Sequence, residues 1–167
     1  GASSITGAGN FTVSGGTVTV SSDYSNINFG TGNAFNGNVG ISGTGAINGL
    51  NAGQQITGGA SIANGTASGT LALGNIHVGS SVTSNYQIKN SGTGASIRGA
   101  IQTTGSGLIN DGRLTGTGVT AADFTLASGA STSNLAVTFT PGTTAGALSG
   151  QKVYIANNFS NVTDQTL

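Results

Sequence analysis

Apolar residues in this chain recur at every second position, in runs of a few residues, and glycine or asparagine breaks nearly every run. Val82, Tyr86 and Ile88 fall on one side of a run whose other side is Thr83, Asn85, Gln87 and Lys89. Leu135, Val137 and Phe139 keep an unbroken apolar face in a second run, and the single proline, Pro141, sits just past it where a ladder can end. A period of two belongs to half-buried strands, because successive side chains of a pleated strand point to opposite faces. A helical reading fails for want of material. A soluble helix covers its outer face with Glu, Lys, Arg or Gln, and here 167 residues hold four basic residues and four acidic ones, all Asp. Thr, Ser, Asn and Gly make the polar surface instead. Thr and Val suit a pleated surface, while Asn and the 31 glycines supply positive-φ corners. The expected fold class is all-β.

The second half is the more regular. Runs at Leu71–Val78, Val82–Lys89, Ile97–Thr103, Arg113–Val119, Asp123–Leu126, Leu135–Thr140 and Lys152–Ala156 read as strands. Turn signals at a spacing of about 8–12 residues point to an antiparallel, Greek-key-like, immunoglobulin-like β-sandwich. In the first half Phe11 and Val13 alternate with Thr12, Gly15-Gly16 marks a turn, and Thr17–Val20 follows, which reads as a hairpin. From Asn26 to Gly59 the apolar pieces are shorter: Ile27, Phe29, Phe35, Val39, Ile41, Ile47, Leu50 and Ile56. Their spacing suits either short sandwich strands or successive rungs of a β-solenoid. The small polar stretch Gly58–Gly69 is the expected boundary. The chain thus divides into an N-terminal β segment (1–22), a Gly/Asn-rich β region (23–67) and a sandwich module (68–167). Whether 1–67 is a separate domain or adds strands to one sandwich stays open at this point. Ser42-Gly-Thr-Gly-Ala46 recurs as Ser91-Gly-Thr-Gly-Ala95, which recurrent turn chemistry explains as readily as a duplicated module.

Several runs together carry a resemblance: Leu71-Ala-Leu-Gly-Asn-Ile-His-Val-Gly-Ser80, Tyr86-Gln-Ile-Lys-Asn-Ser-Gly-Thr-Gly94, Gly112-Arg-Leu-Thr-Gly-Thr-Gly-Val119, Leu135-Ala-Val-Thr-Phe-Thr-Pro141 and Gly150-Gln-Lys-Val-Tyr-Ile-Ala-Asn-Asn-Phe159. Residues 68–167 resemble a choice-of-anchor D module. The resemblance implies a bacterial extracellular, immunoglobulin-like sandwich of a large surface protein, without catalytic residues. The chain departs from such modules in stopping at Leu167, where they usually continue the last strand, and no anchor signal follows. The first 60 residues carry no resemblance.

Chemistry-bearing residues are few. With zero net charge the chain lacks the basic surface that holds a phosphate backbone, so nucleic acid is a poor partner. No apolar run approaches the roughly 20 residues of a membrane-spanning helix. The absence of Cys removes disulfides, thiolate metal sites and thiol catalysis. His77 is the only histidine, and it reads as structural or surface. Asp23, Asp111, Asp123 and Asp164 are too scattered for a local general-acid pair or a calcium loop. Asp111, in Asn110-Asp111-Gly112, reads as an Asx-turn residue rather than a calcium ligand. Tyr24, Tyr86 and Tyr154 read as core or rim residues rather than sugar-stacking rings. Asn10, Asn64, Asn158 and Asn161 match the glycosylation acceptor pattern, which composition alone explains. An isopeptide staple through Lys89 or Lys152 is disfavoured, since no Glu is present. No catalytic, metal or cofactor site is expected.

The function expected is structural: a non-enzymatic subunit of a bacterial extracellular or surface filament or matrix, secreted with its signal peptide removed. It would assemble with itself by β-strand addition, the candidate inter-subunit strand being Gly9–Val20 with Phe11, Val13, Val18 and Val20. The alternatives are a spacer or adhesive module of a larger surface protein, and a polysaccharide binder using Tyr and Asn.

Overall fold

The computed structural model describes residues 52–105, 107–109, 111–143, 145–148 and 150–167, and before them the backbone of six short strands. The fold is all-β, and from residue 52 on it is a sandwich of two antiparallel four-stranded sheets.

The six early strands are β1 (Thr12–Val13), β2 (Thr17–Val20), β3 (Asn26–Asn28), β4 (Ala34–Phe35), β5 (Asn38–Ile41) and β6 (Ala46–Asn48). They pair in parallel, β1 with β4, β2 with β5 and β3 with β6, each strand meeting the one roughly 20 residues further on. This corrects the expected hairpin, since β1 and β2 pair with later strands and not with each other. Of the two readings open for the Asn26–Gly59 stretch, the pairing has the form of solenoid rungs as far as Asn48. The register explains the preference. It sets Val13 at Phe35, Val18 at Val39, Val20 at Ile41, Ile27 at Ile47 and Asn28 at Asn48, apolar at apolar and amide at amide. A hairpin through Gly15-Gly16 would match only two residues of β1 to β2.

The first sandwich sheet has the order β10-β12-β8-β7, from β7 (Gln54–Gly58), β8 (Val82–Asn90), β10 (Leu114–Thr115) and β12 (Leu135–Phe139). The second has the order β11-β9-β13-β14, from β9 (Ile97–Gln102), β11 (Ala122–Leu126), β13 (Tyr154–Asn157) and β14 (Gln165–Thr166). Only β7 to β8 and β13 to β14 stay within a sheet; each connection between β8 and β13 crosses to the other. The alternation read from sequence holds in β8, where Tyr86, Ile88 and Asn90 are buried and Thr83 and Asn85 exposed. Ile56, Tyr86, Ile88, Ile97 and Ile155 lie wholly out of solvent at the centre. Burying such a side chain contributes about 1.5–3 kcal/mol each.

Three details differ from the sequence reading. The first is β7, which lies in the stretch assigned to the 23–67 region. It pairs along its length with β8, and Ala52, Ile56, Ala60 and Ile62 join the core. This is the short-sandwich-strand reading of the piece at Ile56, and its outer side is closed by Ile62, through Ile56 N to Ile62 O at 2.9 Å and Ile62 N to Ile56 O at 3.0 Å. Second, Leu71–Val78 forms no strand, although burial alternates along it; Gly74, at φ 75°, turns the backbone out of extended geometry. Third, the expected Arg113–Val119 strand shortens to β10 and a single 3₁₀ turn, Thr117–Val119. Gly116 separates the two at φ 112°, and a Cβ there would stand 2.3 Å from the Ala136 carbonyl oxygen, so only glycine fits this break.

The sheets are tied by buried amides. Asn90, at the end of β8, uses its whole hydrogen-bonding capacity. Its Oδ1 accepts from Gly53 N (3.2 Å) and Gly92 N (3.0 Å), and its Nδ2 donates to Ala95 O (2.9 Å) and Leu126 O (3.1 Å). One side chain therefore closes the Asn90-Ser91-Gly92 turn and ties β8 to β11 across the sandwich. Gln54 on β7 donates from Nε2 to Ile155 O on β13 at 3.0 Å. Gln165 on β14 donates from Nε2 to Ala63 O and Thr66 O, which holds the Gly58–Gly69 connection against the second sheet.

Candidate functional site

Of the candidate inter-subunit residues, Val13 lies on β1 and Val18 and Val20 on β2. Phe11 is outside the described residues, as are Asp23 and Tyr24. Each of β1 to β6 has one partner, so among the described residues each has one side of its backbone unpaired. The sandwich manages its own edges differently. The outer side of β7 is closed by Ile62. That of β14 is closed by Gly69 N to Thr166 O (3.0 Å) and Thr166 N to Ala67 O (2.8 Å). The first sheet ends at β10, which is only two residues long. The outer side of β11 has no partner among the described residues, and there Asp123 and Thr125 are exposed. A charge on an edge strand discourages pairing with another chain.

The polar residues do not converge. His77 is exposed, its Nδ1 at 2.6 Å from Val78 O. Asp111 forms the Asx turn, Oδ1 accepting from Arg113 N at 3.0 Å, and its carboxylate grips the Arg113 guanidinium, with Nη2 to Oδ2 at 2.6 Å. The guanidinium carbon sits 5.0 Å from the Phe139 ring centroid, so the pair caps the end of β12. The Arg113 hydrogen bonds pull the Asp111 pKa down to about 2. Asp164 accepts from the Tyr154 hydroxyl, from Asn157 N (2.8 Å) and from Asn157 Nδ2 (2.7 Å). It thereby closes the loop between β13 and β14, and its hydrogen bond raises the Tyr154 pKa. Tyr86 is wholly buried and donates to Gly118 O at 2.8 Å. Burial pushes its pKa up. Neither of these tyrosines has its hydroxyl free, and Tyr86 offers no ring face to a sugar. Among the described residues no group of three His, Cys, Asp or Glu could hold a metal, and no helix is long and apolar enough to cross a membrane.

A cleft of about 650 Å³ opens where β10 and β12 face β14, under the Leu71–Val78 segment. Leu71, Leu73, Leu114, Val119, Val153 and Leu167 are among its walls, which include neither Asp nor His. It has the size of a ligand pocket, and Ser68, Gln151 and Lys152 are on the polar side of a mostly apolar lining. Among the described residues, backbone sides without a strand partner are found on β1 to β6 and on β11.

No family model, curated protein or solved structure matches this chain.

Proposed function

We propose that the chain is a non-enzymatic structural module of a bacterial extracellular or surface filament or matrix, and that copies join by β-strand addition through the segment bearing Val13, Val18 and Val20. The observation that carries this reading is the parallel coil of β1 to β6, whose strands each have one strand partner among the described residues. Unpaired N–H and C=O groups along a strand's second side are a template for another strand. Composition supports the same reading, since a neutral chain with few charges offers little repulsion between copies. The resemblance of residues 68–167 to choice-of-anchor D modules supports the bacterial, extracellular part. Among the described residues the buried core runs from Ala52 onward, and the sandwich is the body to which this reading attaches the early strands.

The test is electron microscopy and sedimentation of the purified chain beside a chain lacking residues 1–21. Ordered assemblies from the first, and a folded monomer from the second, are expected. Monomers from both overturn the reading and favour a spacer module.

A further inference from the structure

Two buried oxygens of the sandwich accept no hydrogen bond. Among the described residues, these are Gln54 Oε1 on β7 and Gln165 Oε1 on β14, and both glutamines are wholly out of solvent. A buried carbonyl oxygen without a donor carries its full desolvation cost, and native folds supply a partner from protein or from ordered water. Turning either amide over does not help. Gln54 Nε2 donates to Ile155 O, and Gln165 Nε2 donates to Ala63 O and Thr66 O. A flipped amide would set its oxygen against those carbonyl oxygens.

The two glutamines belong to opposite sheets, yet they share two neighbours. The first is Ile155. Val153 and Leu167 exchange both backbone hydrogen bonds, at 2.8 and 2.9 Å. Such pairs recur at every second residue of an antiparallel ladder, so the register partners Ile155 and Gln165 form the next one. Ile155 O is therefore aimed at Gln165, and it is this oxygen that Gln54 Nε2 reaches at 3.0 Å. The second neighbour is the turn at residues 63–66, closed by Thr66 N to Ala63 O at 3.1 Å. Gln54 N donates to Asn64 Oδ1 at 3.2 Å, while Gln165 Nε2 donates to carbonyls on both sides of Asn64 in the chain. Both amide heads thus lie in one corner of the sandwich, between β7, β14 and the turn. The residues that meet there, Gln54, Ala63, Asn64, Thr66, Ile155 and Gln165, carry no charge.

From two orphan acceptors in one uncharged corner, we infer a binding site for a single internal water that donates one hydrogen to Gln54 Oε1 and the other to Gln165 Oε1. Water is the smallest molecule with two donors, and two polar partners are enough to hold a buried one. A metal cation fits worse, since it would find only two unspent oxygens, both neutral, where calcium takes about six to eight with carboxylates among them. The water joins β7 of the first sheet to β14 of the second through hydrogen bonds nearly as good as direct ones.

The test is NMR cross-relaxation between water and the full-length chain, recorded in the laboratory and rotating frames. A water that tumbles with the protein gives cross-peaks of opposite sign in the two. Such peaks are expected on the side-chain methylene protons of both Gln54 and Gln165. Gln54→Met, which removes one acceptor at nearly the same side-chain length, is expected to lose the peaks at Gln165. Absence of long-lived water peaks at either glutamine of the native chain overturns the site whether or not the variant folds. Peaks at Gln165 that survive in a folded variant overturn the bridge. Methylene shifts at both glutamines that follow added sodium or potassium chloride, and are not produced by tetramethylammonium chloride, mean a bound cation and overturn the water. Contacts between the two amide heads without water peaks mean that they meet directly, and overturn it equally.

Discussion

Asn90 shows how one polar residue can decide a β fold. Its side chain satisfies two donors and two acceptors from three separate segments, all out of solvent. Removing it strands those groups, and an unsatisfied buried polar group costs about 1–3 kcal/mol. Asn90→Ala is expected to lower unfolding free energy by about 2–4 kcal/mol, measured by urea denaturation. Asn90→Asp is expected to be worse than Ala, because a carboxylate would then face the carbonyls of Ala95 and Leu126. The Asp111–Arg113 pair sets a pH dependence of definite sign. The folded pKa of Asp111 lies at about 2, below its ordinary value of 3.8. Its contribution is therefore present above pH 3.8 and is lost as pH falls toward 2. Thermal melts over that range should show a drop for the native chain that Asp111→Asn lacks; equal slopes would contradict the linkage. Tyr154 behaves in the opposite sense. Its raised pKa means that the bond to Asp164 is present below the ordinary tyrosine range and is lost as pH rises through the raised value. Asp164→Asn should shift the tyrosinate absorbance titration toward lower pH. None of these roles follows from spacing, except that Asn110-Asp111-Gly112 marks a turn, because the partners are brought together only by folding.

At the scale of the element, β9 depends on a residue with no side chain. Gly99 sits in the middle of the second sheet, opposite Phe124 on one neighbour and Asn157 on the other. A Cβ placed there would stand 2.2 Å from Ala156 O and 2.3 Å from the Phe124 ring. Gly99→Ala therefore forces the strand or the ring aside, at a cost of about 1–3 kcal/mol, which chemical denaturation would report. Strands with regular alternation, β8 and β12, are legible in sequence, since one buried face writes itself into a period of two. The Leu71–Val78 segment has the same pattern and is not a strand. Periodicity records which side chains face inward and says nothing of whether the backbone finds a ladder, and here Gly74 prevents one. β7 is the converse case: sequence marks Ile56 only as one more short apolar piece and does not say which sheet it joins. Gln54, Ile56 and the glycines around them give weak alternation, and the strand is defined by β8 beside it and Ile62 behind it.

At the scale of the whole molecule, β7 and the connection after it belong to the sandwich, which makes the boundary at residue 67 testable. A fragment of residues 52–167 should unfold cooperatively. One of residues 68–167 should not, since it loses Ile56 and Ile62, buried at 0% and 1% exposure, together with the edge of the first sheet. Losing a buried isoleucine side chain costs about 2–5 kcal/mol, and two approach the 5–15 kcal/mol that a domain commands. A cooperative melt from the shorter fragment would restore the boundary read from sequence. The sequence by itself determined the fold class and the sandwich of the second half, because a chain without charged helix formers and with period-two runs has no other way to bury its apolar residues. It also raised the solenoid rung as one reading of the early strands. Only the tertiary structure decided which strands pair and in which direction. Pairing depends on which distant segments meet, and short runs of Val, Thr, Asn and Gly accept a hairpin partner or a parallel one with equal local propensity.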